Sequence, residues 1–180
     1  MNRNRELHPR SVWQEPELWQ GAWILMLAWV GIMMILNFDI FDHSPRDSFT
    51  LMAMAWRKGL LHLEHDYSWL ELAIFEGNYY VSFPSVPALV MLPLTFIFGE
   101  ETPNTLVTAM YFLGSYIAAY HLCRRFRRPA DSVFMALFMT LGCNMLASSL
   151  VGDVWNQAQL LCFLFTTLCA LGLTSRDPVQ

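Results

Sequence analysis

Long apolar runs restrict this chain more than any motif does. Residues 21–38, 83–98, 105–122, 132–151 and 154–173 contain no Asp, Glu, Lys or Arg. All but the second exceed the ~17 residues that a bilayer-crossing helix needs. Charged residues make up 14% of the 180-residue chain, against about 25% in a typical soluble domain, too few to coat a globule. The pattern predicts an all-α integral membrane protein with about five transmembrane helices. Run 83–98 is short and interrupted by Pro93, so a tilted, kinked or sheltered helix is expected there.

The ends of the runs carry membrane punctuation. Trp13, Trp19 and Trp23 precede the second half of the first run as interfacial anchors. Segment 1–20 mixes Arg3, Arg5 and Arg10 with Glu6, Glu15 and Glu17 and has no cleavage pattern of a secretory signal. Cys123, Cys143, Cys162 and Cys169 form no C-x-x-C pair and read as small packing residues.

Between the first two runs lies a loop, 39–82, far longer than the other connections. Its composition predicts structure of its own. Phe49 to Leu61 (FTLMAMAWRKGLL) places apolar residues at helical spacing beside Arg57 and Lys58, which suits a helix lying in the interface. Asp47 or Ser48 can cap it. Two alternating runs, Leu72 to Phe75 and Tyr79 to Phe83, flank Gly77-Asn78 and predict a short β-hairpin. Phe83-Pro84-Ser85-Val86-Pro87 then opens the second helix, with the prolines where a missing N–H costs least. A long loop with internal structure is usually functional.

The titratable residues of this loop are the chemical candidates. Asp39, Asp42 and Asp47 follow the first helix, and Glu64, Asp66, Glu71 and Glu76 come later. A carboxylate where a membrane helix meets water can act as a base or hold a metal, and equally can be a solvated acid or a helix cap. His62, His65 and Asp66 would share one helix face, a spacing able to hold a divalent ion, although no second cluster completes the set. Asp153, Asn156, Gln157 and Gln159 open the last helix, where polar residues line a cavity or bond a neighbouring helix. Arg124, Arg125, Arg127 and Arg128 suit a lipid phosphate or ordinary membrane flanking. No phosphate-binding glycine loop, nucleophile elbow or nucleic-acid motif is present.

Five crossings would set the charges against one another. They would put Arg46, Arg57, Lys58, the Arg124 to Arg128 cluster and Arg176 on the side of the long loop, eight cations against Arg3, Arg5 and Arg10 on the other. That count predicts a cytoplasmic loop.

The ordered set of acidic residues, interfacial helix and GNYYVSFPSVPALVMLPLTFIFG resembles the N-terminal module of GT-C membrane glycosyltransferases. That class includes bacterial protein mannosyltransferase-like and lipid-A aminoarabinose transferase-like enzymes. Gly77, Tyr80, Phe83, Pro84, Pro87, Ala88 and Pro93 match the family's pattern, with Ser85 and Val86 replacing its second proline and glycine. Asp47-Ser48 ahead of FTLMAMAWRKG and the DVWNQAQLL helix opening are similar too. The resemblance implies an exoplasmic first loop and transfer of a sugar from a polyprenyl-phosphate donor to a lipid, glycan or protein acceptor, in a bacterial inner membrane. It implies Asp47 as the base, with Asp42 and Asp39 behind it. Arg57 or Lys58 would neutralise phosphate, Tyr79, Tyr80 and Pro84 would line the site, and Gln157, Arg124 and Arg125 would assist binding. A divalent ion is an open requirement. Family members are several hundred residues long, so the chain reads as the N-terminal part of such an enzyme, inactive alone. The alternative is a non-catalytic scaffold or lipid-binding subunit working with a partner membrane protein.

Overall fold

The computed structural model describes residues 12–174. Segment 1–11 and the tail from 175, with Arg3, Arg5, Arg10 and Arg176, lie outside the described residues. Three helices are long and apolar enough to cross a membrane: α1 (Pro16–Leu36), α4 (Asn104–Arg124) and α7 (Val154–Leu173). At 1.5 Å per residue each is about 30 Å long, the thickness of the hydrocarbon core. Between them lie α2 (Ser48–Arg57), strands β1 (Leu72–Phe75) and β2 (Asn78–Val81), α3 (Val86–Phe98), α5 (Pro129–Leu141) and α6 (Met145–Ser148).

Local chemistry sets the boundaries. Pro16 opens α1, and Asn37 closes it in the left-handed region (φ 54°), with the Phe38 amide donating to the Met33 carbonyl at 3.0 Å. Pro129 opens α5 in the same way. β1 and β2 pair antiparallel, Leu72 opposite Val81 and Phe75 opposite Asn78. The two positive-φ residues between them are Glu76 (49°) and Gly77 (78°), one position earlier than the Gly77-Asn78 turn expected from the sequence.

Two of the five runs expected as spanning helices form shorter ones. The second is only 13 residues long, about 20 Å, too short for a 30 Å core. Both its ends stay beside the long loop. Phe83, just before it, packs edge-on against Trp155 at 4.7 Å, and the carbonyl of Thr102, just after it, lies 3.1 Å from His43 Nδ1. The fourth run breaks after Leu141. Gly142, Asn144, Ser148 and Ser149 fall there, residue types whose backbone freedom or competing side-chain bonds weaken a helix.

The path of the chain changes as a result. α1 and α4 run antiparallel, since Tyr116 Oη donates to the Leu18 carbonyl (3.1 Å) and Tyr120 Oη to Glu15 (2.6 Å). α4 and α7 both start at the opposite end, because Asn104 contacts Ser44 and the Val154 amide donates to the Arg46 carbonyl at 3.4 Å. The bundle therefore has a loop end, holding residues 39–104 and 142–153, and an N-terminal end, holding Glu15 and the Arg124 to Arg128 corner. The core between them is built on Trp29, Phe112, Tyr116, Tyr120 and Leu160, all fully buried. Phe49 of α2, also fully buried, joins the loop to it.

Candidate functional site

Asn104 organises the loop end. This fully buried residue opens α4; its Oδ1 accepts the Ser44 amide at 3.0 Å and its Nδ2 donates to Asp47 Oδ2 at 3.2 Å. Gly152 passes so close that an added Cβ would sit 2.6 Å from the Asn104 carbonyl carbon, so only glycine fits. Asp47 then caps α2. Its Oδ1 accepts the Phe49 amide at 2.9 Å, and its Oδ2 also accepts the Thr50 hydroxyl. Burial pushes its carboxyl pKa up, opposed by the hydrogen bonds from Thr50, Asn104 and the cap amides. With 1% of its surface exposed and both oxygens engaged, Asp47 presents no lone pair to a substrate.

Beside this buried layer a cleft of about 340 Å³ opens to solvent, lined by Arg46, Trp69, Glu71, Phe83, Asp153 and Trp155 among others. Three segments meet here because the Ser44 hydroxyl donates to Asp153 Oδ1 and the Trp69 indole donates to the Pro45 carbonyl at 3.1 Å. Arg46 lies 3.9 Å from Asp153 Oδ2, with 73% of its side chain exposed. Trp69 and Trp155 are both exposed. The cleft thus joins one exposed cation, two carboxylates and flat aromatic walls. Aromatic surfaces stack on the C–H face of a sugar ring, carboxylates accept its hydroxyl protons, and a guanidinium binds phosphate in a bidentate fork.

The other expected site residues are scattered. Asp39 is exposed, binds the Phe41 amide (2.9 Å) in a local turn and lines a separate, open groove with Trp29 and Met33. Asp42 is exposed on the same turn. Arg57 is committed to the Thr95 carbonyl and stacks 4.2 Å from the Phe96 ring, and Lys58 pairs with Glu64, whose pKa this pairing lowers. Tyr79 and Tyr80 lie half-buried in β2, with Tyr80 against Phe75 and His62, and Pro84 is exposed beside Phe83. Gln157 is fully buried and bonds the Gly152 carbonyl at 2.8 Å. Arg124 and Arg125 sit at the N-terminal end, remote from the cleft, and Arg124 is clasped to Glu15 at 2.6 Å.

His62, His65 and Asp66 do not share a helix face, because residues 60–66 leave the helix after Gly59 (φ 76°) and Leu63 instead bridges Tyr79. Among the described residues no three His, Cys, Asp or Glu side chains gather around one point. Sequence reasoning missed Arg46, Trp69 and Trp155 as a set. Their only signal is exposed aromatics next to acids at distant positions.

No protein-family model matches this chain, and the searches of curated proteins and of solved structures found nothing similar.

Proposed function

We propose that the chain is a module of a membrane glycosyltransferase that handles a polyprenyl-phosphate-linked sugar at the exoplasmic face, in a bacterial inner membrane. The cleft that brings Arg46, Glu71, Asp153, Trp69 and Trp155 together at the loop end carries this reading. In it Arg46 binds the phosphate, the tryptophans stack on the sugar ring, and Asp153 accepts the proton of the attacking hydroxyl. The resemblance in GNYYVSFPSVPALVMLPL supports the same reading, with the base moved from Asp47 to Asp153.

Charge supports the sidedness. The short α4–α5 connection holds Arg124, Arg125, Arg127 and Arg128, whereas 99–103 and 142–153 at the loop end hold no Lys or Arg. Counted over short connections, this favours a cytoplasmic N-terminal end and a cleft on the outside.

A non-catalytic scaffold or lipid-binding subunit is the second reading, favoured by the burial of Asp47. Titrating undecaprenyl-phosphate-hexose into the whole protein in nanodiscs, read by tryptophan fluorescence, tests the cleft. Quenching that weakens tenfold or more in Trp155→Ala and Arg46→Gln is expected. Unaltered titrations in both variants would remove the cleft from the function. Binding without sugar transfer, in a system supplying acceptor, would favour the accessory role.

A further inference from the structure

The corner between α4 and α5 has chemistry that the cleft does not use. Arg124 is spoken for: its Nε and Nη2 hold Glu15 at 2.7 and 2.6 Å, and its Nη1 donates to the Arg127 carbonyl. That contact fixes the turn, whose amides are already engaged, Arg125 to the Leu122 carbonyl and both Phe126 and Arg127 to that of Cys123. The backbone is therefore set, and Arg125, Arg127 and Arg128 stand exposed around Phe126, which is 68% exposed. Among the described residues none of the three arginines has a carboxylate within ion-pair distance.

Directly below, a groove of about 310 Å³ is lined by Arg127, Asp131, Phe134 and Met135. Phe134 stacks on Phe138 at 6.4 Å, and both are exposed, so the apolar wall continues a further turn along α5. Cationic at its mouth and apolar along its length, the groove has the polarity of a phospholipid.

We propose that this corner binds an anionic phospholipid with a hydroxylated headgroup. Its phosphate sits among Arg125, Arg127 and Arg128, and one acyl chain runs along Phe134 and Phe138. Among the residues lining the groove and its rim, three cations stand against Asp131, an excess that a zwitterionic headgroup does not match. Asp131 accepts a hydrogen bond from a glycerol hydroxyl, which phosphocholine lacks. A free phosphate would leave the aromatic wall unused. The site is independent of whatever the cleft, at the far end of the bundle, binds.

Native mass spectrometry of the whole detergent-purified protein with phosphatidylglycerol or phosphatidylcholine tests this. Preferential retention of phosphatidylglycerol is expected. Each arginine near a membrane surface contributes about fivefold, so combining Arg125→Gln, Arg127→Gln and Arg128→Gln should weaken retention roughly a hundredfold. If that triple variant does not fold, Arg127→Gln alone decides, with about a fivefold loss expected. Equal retention of the two lipids, or retention indifferent to Arg127→Gln, would overturn the assignment. So would inorganic phosphate displacing the lipid at millimolar concentration, since the ligand would then be a free anion.

Discussion

Asp47 shows how one side chain can satisfy two demands that look alike in a sequence. An acid just before an apolar helix is either a reactive group or a cap, and here its oxygens are taken by Phe49, Thr50 and Asn104. Replacing it by alanine removes the cap and strands the Asn104 amide, at a cost of about 2 kcal/mol. Asp47→Asn keeps the cap acceptor and costs less. Thermal unfolding in detergent should rank the two variants in that order, with cleft binding unchanged in either once folded. A tenfold loss of binding in folded Asp47→Asn would restore a direct role. The cap itself was legible, because Asp before an apolar helical period is a strong start signal. Asn104 and Gly152 were not, since their meaning lies in a contact across 48 residues of chain.

Among the elements, α1 and α4 are held at one end by polar chemistry within an apolar bundle. Glu15 receives Arg124 in a two-pronged contact and the Tyr120 hydroxyl. The Arg124 hydrogen bonds lower its carboxyl pKa, with burial working against them. A lowered carboxylate stabilises the fold fully above its ordinary value of 4.5, and that contribution is lost as pH falls through the lower folded-state value. Thermal stability should thus decline below pH 4.5, and Glu15→Gln should flatten that part of the profile. An unchanged acid limb in Glu15→Gln would show that the clasp contributes nothing. Of the helices, α1, α4 and α7 could be read from apolar length alone. The shortness of α3 was legible too, in the 16-residue run 83–98. The break that ends α5 was not, because hydropathy averages over a Gly142 and registers no change in direction.

At the scale of the whole molecule, that shortening reverses the orientation argument. With α3 turning back on the loop side, the arginine corner moves to the N-terminal end and the short connections agree with an exoplasmic cleft. A single cysteine at Asn78, with Cys123, Cys143, Cys162 and Cys169 replaced, should react with a membrane-impermeant thiol reagent in intact cells. A cysteine at Phe126 should react only after lysis. The reverse pattern would place the cleft in the cytoplasm and end the glycosyltransferase reading. The common heading of α4 and α7 has a further effect. Their N-termini, with that of α2, gather around Ser44, Asn104 and Asp153, each bringing roughly half a positive elementary charge. Their opposite poles fall near the arginine corner. But α1 runs against α4 and brings its negative pole to the loop end, so the positive ends are partly offset and act over their own first turns, not across the membrane. The starts of α2 and α7 thus favour the carboxylates set on them, the buried Asp47 and, at the cleft, Asp153.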